Sequence, residues 1–447
     1  MAEVHYECHP LGVGRLGSLA ALVIVTLSTA CGGTAPAPPP GSELHLGVDL
    51  PLSGSEARGA VPALYGVRFF VQTHPTLDGF TVSVRTADDA SGGVPNPKRG
   101  AANLRGFLAD PALVAMIGPY DAAVARLEIP IANEAGLAMV SPATSNPCLT
   151  RNVFTPALLN PSRTDISCKA AGLPSAADLR PAHTNNFFRL TTTDDLQGAA
   201  VADYTFQKLH LLRVAVISDH ETYGQGLAYA FAARFTSQGG TIVGRFDLGP
   251  TSRDATTFLR NAKAAGAQAI YYGGDTRPGG CEIRAEMRAM FPAGEATPFL
   301  GGDGIAEDPA CVAAAGANSA GIFASVPLVN ADSKPGAATT IHDFKRTFGS
   351  TRDYGPYTLL AYDATAVLYA ALDRAIQGAG GHLPSRASVT HEVAQTSGLA
   401  GATGPLGFDA AGDTTNRTVS IFEAVGSDPR ARWNLVDAVD YSARLPY

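Results

Sequence analysis

Hydroxyl side chains gather where an apolar run stops. Leu137-Ala-Met-Val140 leads directly into Ser141-Pro-Ala143-Thr144-Ser145-Asn-Pro147. Ser141, Thr144 and Ser145 can donate and accept hydrogen bonds, and Ala143 adds its backbone groups. The small residues leave room for a molecule to sit against them. Such a set can grip by hydrogen bonding, but nothing nearby would activate a nucleophile. The chain carries no G-x-S-x-G elbow, no H-E-x-x-H pair and no P-loop. His220 and Glu221 are types that can exchange a proton, yet beside Tyr223 at a strand end they fit the rim of a cleft better. Gly301-Gly-Asp-Gly304 lacks dinucleotide spacing and reads as a cleft turn. The ten histidines show no paired spacing for a metal. An enzyme, a cofactor and a metal are all unexpected.

The elements that must position these groups alternate. Leu44–Leu50, Phe80–Thr86, Val114–Gly118 and Ala138–Ser141 read as strands. Val61–Thr73, Pro97–Leu108 and Val124–Ala135 read as the helices between them. Apolar strands without alternation imply burial on both faces, and repeated βαβ units imply a doubly wound α/β sheet. In such sheets ligands sit beyond the carboxyl ends of the strands, where the Ser141–Ser145 loop lies. Residues 151–184 break the rhythm with Pro156, Pro161, Pro174 and Pro181 and read as an irregular insertion. A second series follows: strands Val214–Ser218, Thr241–Phe246, Ala269–Gly273, Thr297–Gly301 and Gly321–Val326, with helices Gly226–Gln238, Thr257–Ala264 and Glu282–Met290. Helices His342–Phe348 and Leu359–Ile376 come next, and Ser420–Ala424 is expected as the final strand.

The start of the chain has another character. Arg15 precedes an apolar core, Leu19–Leu27, then Ser28-Thr-Ala30-Cys31. This is a secretory signal pattern, and the core is too short to span a bilayer comfortably. Residues 32–43, rich in Pro and Gly, can form neither helix nor strand and read as a tether.

About 400 residues remain, more than one ordinary core, so two lobes are expected. The net charge of −7 gives no electrostatic footprint for nucleic acid. Cys148, Cys168, Cys281 and Cys311 follow Cys31, and outside the cytoplasm an even number argues for disulfides. Three pairings are possible. Cys148–Cys168 and Cys281–Cys311 are favoured because each brackets one local loop. Metal binding is the rival reading, unsupported by any CxxC spacing.

Several blocks together carry a resemblance. They are Gly47-Val-Asp-Leu-Pro-Leu-Ser53-Gly54, Asp88-Asp-Ala90, Ala115–Gly118 through Ser141–Pro147, Val214–Asp219 with Tyr223-Gly-Gln-Gly226, and Ile270–Gly274 leading to Phe299–Gly304. Gly404-Pro-Leu-Gly-Phe408-Asp409 closes the series. In this order the chain resembles the branched-chain amino-acid-binding proteins, the solute-binding components of ABC importers with the type I periplasmic-binding fold. Ser28-Thr-Ala-Cys31 likewise resembles a bacterial lipobox, without its usual leucine three places before the cysteine. The resemblance implies a signal peptide over 1–31 with a lipidated Cys31, a linker over 32–43, and two lobes joined by three crossovers. Lobe one would take 44–193 and 330–400; lobe two, 194–328 and 401–447. It implies amino-acid transport at the outer face of a bacterial membrane, with a small-molecule ligand, permease and ATPase subunits, and no nucleic acid. A ligand-sensing receptor subunit of the same fold is the alternative.

In the family, two hydroxyls take the ligand carboxylate, while a loop carbonyl and an acid take the ammonium. Carried over residue by residue, Ala122 stands at the first hydroxyl position and Ser145 at the second. Ala143 stands at the carbonyl position, in the loop begun by Ser141 and continued by Thr144. Gly279 stands at the acidic position, with Asp275 able to supply charge from another angle. Tyr223 keeps an aromatic, whereas Gly59 stands where another is expected. Asp121, if it faces the cleft, opposes an anion and favours a cation or a polyol. Losing both charged-end anchors points away from leucine-like ligands and toward a different small polar molecule.

Overall fold

The computed structural model describes residues 42–156, 164–249, 254–291, 297–330, 334–349, 354–426 and 432–443. Cys31 and the tether up to residue 41 lie outside these, as does part of the 151–184 insertion; Glu43, read as tether, instead opens the first strand by pairing beside Thr81. Two sheets carry the architecture. In the first, the strands run in the order Phe187–Arg189, Ala138–Ser141, Leu113–Ile117, Glu43–Leu50, Phe80–Asp88 and Thr76–Leu77. All pair in parallel except the last, an antiparallel edge. Glu43–Leu50 is buried at every residue but its first, and Leu113–Ile117 throughout. Helices pack over these strands, so neither needs a polar side.

The second sheet runs Thr241–Asp247, Arg213–Ser218, Ala269–Gly273, Phe299–Gly301, Ile322–Val326, Thr418–Val425 and Arg432–Asp440. Its first five strands are parallel and its last two antiparallel. Ser420–Ala424 is therefore not the final strand. Arg432–Asp440 adds an edge whose residues are largely exposed, with Leu435 and Val436 facing solvent, so it lacks the apolar run that marks buried strands.

Distant segments complete the first lobe. Helix Thr358–Gly378 packs against helix Ala57–Thr73, and Arg386–Ala394 lies on the first sheet. The hairpin Leu399–Gly401 and Gly404–Leu406 stays with them: the Asp363 carboxylate accepts N–H bonds from Ala402 (2.7 Å) and Thr403 (2.8 Å). The return to the second sheet thus comes with the Thr418–Val425 strand rather than at 401. Three passages join the lobes and lie side by side. Thr192 N–H donates to Pro327 O (2.8 Å), Thr192 Oγ1 to Thr418 O (3.0 Å), and Ser420 Oγ to Leu328 O (2.8 Å).

Both favoured disulfides form, Cys148–Cys168 and Cys281–Cys311. The first closes a separation of 20 residues, which in the chain-entropy model stabilises by about 3 kcal/mol. Within the insertion, Val153–Thr155 and Ile166–Ser167 form a small hairpin where no strand is expected from the sequence.

Candidate ligand-binding site

The carboxyl ends of both sheets open on one cleft, a cavity of about 770 Å³. From the first lobe come the loop after Ala138–Ser141, the start of helix Ala122–Glu134 and the start of helix Ala57–Thr73. From the second come Tyr223, Asp275 and the Asp303-Gly304 turn.

Of the residues singled out from sequence, Asp121, Ala122, Ala143, Thr144, Ser145, Tyr223 and Asp275 line this cavity; Ser141 does not. Ser141 is fully buried behind the loop. Its hydroxyl donates to Pro119 O (2.7 Å) and accepts from Thr144 N (2.9 Å) and the Thr144 hydroxyl (2.6 Å). It shapes the loop, and the Thr144 hydroxyl is spent on it. Arg189, with no exposed surface, holds the loop from below: it donates to Asn146 O (2.7 Å), to Thr144 O (3.2 Å) and to the Thr150 hydroxyl. Its charge is met by Asp413 at 2.7 Å. Burial alone would raise the Asp413 carboxyl, but Arg189 and Arg151 hold it down at about 2.

Asp121 both faces the cleft and caps a helix. One carboxylate oxygen accepts the N–H groups of Ala123 (2.7 Å) and Val124 (3.0 Å), as an N-cap aspartate does. Gly59 also lines the cavity, beside Tyr120. His220 and Glu221 do not reach it; exposed His220 pairs with Asp247 at 2.8 Å. Tyr65 packs against Phe348, ring centroids 4.9 Å apart. Arg277, two residues after Asp275 and by its charge able to bind an anion, has a side chain outside the described residues.

Several cleft groups are not singled out by the sequence. Asp303 is the hub of the second-lobe wall. Its Oδ1 accepts from the Tyr223 hydroxyl (2.6 Å) and Gln197 Nε2 (2.7 Å), and its Oδ2 from the Tyr357 hydroxyl. Tyr357 belongs to the first lobe, so this bond crosses the cleft. Arg58 crosses it too, pairing with Asp308 and donating to Glu307 O (2.8 Å). Asp194, at the start of helix Asp194–Gln207, gives its N–H to Ser145 O (2.9 Å). Burial pushes its carboxyl up to about 7, the Ser145 hydroxyl partly offsetting this. Glu56 and Asp275 are also raised, first by burial and then by neighbouring carboxylates. The sequence signals are faint: Glu56 follows the Ser53-Gly54 turn, and Asp303 sits in the Gly301–Gly304 turn.

Among the described residues no three His, Cys, Asp or Glu side chains are grouped to hold a metal ion. The arrangement offers neutral hydroxyls, aromatic rings and carboxylates around a solute-sized space. It can enclose a molecule and bind it without bond-making.

Comparison with known proteins places this geometry. The family model described as "Periplasmic binding protein" matches residues 43–429. The Leu/Ile/Val-binding protein homolog 3 of Brucella melitensis is 26% identical over 386 residues, covering 86% of this chain and 91% of the relative. The leucine-binding protein LivK of Thermotoga maritima superposes with a TM-score of 0.69 at 22% identity, covering 89% of this chain and 98% of that one. A solute-binding protein of an ABC transporter from Rhodopseudomonas palustris, solved with p-hydroxybenzoic acid, superposes with a TM-score of 0.70 at 16% identity, covering 89% and 97%.

Proposed function

The chain belongs to the periplasmic binding protein family, and from that premise we propose that it is the solute-binding component of an ABC importer, closing its two lobes over a small polar molecule. The observation that carries this reading is the cleft itself: a cavity of about 770 Å³ at the strand ends of both sheets, bridged by Tyr357–Asp303 and Arg58–Asp308. Those bridges join groups from opposite lobes, as a hinge-closing clamp requires. Asp121, Ala122, Ala143, Thr144, Ser145, Tyr223 and Asp275 would meet the solute, with Ser141 setting the loop they depend on. Permease subunits would receive it, driven by ATPase subunits, and a lipid on Cys31 would hold the protein at the membrane surface outside the cytoplasm.

Small-angle scattering tests the closing motion. A metabolite extract should reduce the radius of gyration, and a bound molecule should be recoverable from the compacted protein. Unchanged dimensions, with nothing recovered, defeat the reading. Anchoring is tested separately: the Cys31→Ser variant should move from the detergent phase to the aqueous phase on partition, while binding in the cleft is retained.

A further inference from the structure

The cleft carboxylates differ in how their charge is met. Asp303 is answered by three neutral donors, Asp121 by two backbone N–H groups, and Asp308 by Arg58. Arg58 is thereby spent, and no other described cation lines the cavity. That leaves Glu56, Asp194, Asp275 and Glu307, the last of which acts on Arg58. Asp194 is 2% exposed, lines the cavity, and has a carboxylate oxygen with no hydrogen-bond partner. Glu56 belongs to the first lobe and Asp275 to the second. Both line the cavity, and both are raised first by burial and then by neighbouring carboxylates. Gly304 keeps the wall thin here, for a Cβ on it would stand 2.3 Å from the Asp275 carboxylate.

Uncompensated carboxylates in a shared, partly dry space are costly. A carboxylate-bearing solute would add to that cost, because the cleft offers it only hydroxyls and backbone groups. A positively charged solute would relieve it. The charges are spread over a solute-sized volume rather than converging on one point, which suits an organic cation and not a metal ion. The rings of Tyr120, Tyr223 and Tyr357 line the same space, and aromatic rings attract organic cations.

Resting on the solute-binding reading, we propose that the ligand is an organic nitrogen cation, an amine or guanidinium without a carboxylate, seated between Glu56 of one lobe and Asp275 of the other. A cation there would draw the lobes together by answering one charge from each.

Isothermal titration at low salt with putrescine, spermidine, agmatine and choline tests this, with leucine, benzoate and glycerol as the opposing panel. At least one cation should bind with a Kd below about 100 µM, weakened tenfold or more by Glu56→Gln and by Asp275→Asn; a tenfold loss is about 1.4 kcal/mol. Thermal melts of both variants should be no lower than the parent, since each removes a repelled charge. Should either melt fall, the salt dependence of the parent's binding provides the readout: a cation Kd that rises with ionic strength supports the inference, and one that does not change overturns it. Binding of leucine, benzoate or glycerol without binding of any cation overturns the cation inference and leaves solute binding intact. Cation binding that neither carboxylate variant weakens also overturns it. If neither panel binds, the cation inference fails; the scattering and recovery experiment on a metabolite extract then decides solute binding on its own.

Discussion

A Cβ placed on Gly59 would stand 2.3 Å from the hydroxyl oxygen of Tyr120. The position where the resemblance leads one to expect an aromatic is therefore empty because another aromatic, from a different loop, occupies its space. Tyr120 in turn meets the Tyr357 ring edge-on, centroids 5.3 Å apart. The aromatic wall of the cleft is kept but rebuilt from other residues.

Gly59→Ala sets two effects against each other. Alanine inside a helix should gain about 0.5–1 kcal/mol over glycine, yet here it collides with Tyr120. The collision should win, lowering the melting temperature, and the same substitution in a Tyr120→Phe background should become neutral or stabilising. A double-mutant thermal-melt cycle measures this; equal effects in both backgrounds would show that Tyr120 does not set the space.

Tyr357→Phe removes the hydrogen bond that ties the first lobe to Asp303. Bonds to charged groups contribute about 1.5–3 kcal/mol, so the variant should favour a more open clamp. The radius of gyration of the ligand-free protein should rise while the melt of each lobe changes little. An unchanged radius would mean that the bond does not hold the lobes closed.

Asp413→Asn strips the anion from Arg189, which has no exposed surface. An uncompensated buried guanidinium costs about 3–5 kcal/mol, enough to lower denaturant stability severely. Because Arg189 also holds Thr144 and Asn146, binding should weaken even under conditions where the variant remains folded. Equilibrium urea unfolding with titration of the folded variant checks both.

A second acidic group lies beside the first sheet, outside the cavity lining. Asp49, Asp89 and Glu128 are all fully buried, and both oxygens of Asp89 lack a partner. Burial, then the Asp49 charge, pushes the Asp89 carboxyl up to about 8 from an ordinary 3.8; burial also raises Asp49 to about 6 and lifts Glu128. A raised acid binds its proton more tightly when folded, so its stabilising share is complete below about pH 4 and is lost as pH climbs toward 8. Thermal midpoints should therefore fall between about pH 4 and pH 8 and level off above that. Asp89→Asn should flatten that fall and melt higher than the parent at pH 9; parallel curves for the two proteins would rule out Asp89 as the source. Asp88, Asp121 and Arg99 face the same group and are left in place by this substitution.

Much of this architecture is legible in the chain. The buried strands announce themselves as unbroken apolar runs, and the Ser141–Ser145 loop as the break at the end of one. The cysteine pairs follow from their brackets. The features that escape a sequence reading have a common cause. Glu56, Tyr120 and Tyr357 come from three segments of the first lobe far apart in the chain, and Asp303 meets Tyr357 only across the cleft; no local spacing records such contacts. The Arg432–Asp440 edge leaves no signature because an exposed strand needs no apolar face. Ser141 reads as a ligand hydroxyl because sequence shows which residues sit in a loop but not which way their oxygens turn.

The Asp303 carboxylate accepts hydrogen bonds from hydroxyls on both halves of the molecule. Parting the halves must therefore rob it of the Tyr357 phenol, and a half-muffled anion is left at the floor of the open jaw. The gaping form then carries a stronger negative field than the shut one, so the protein attracts most strongly at the moment it has nothing in its grip.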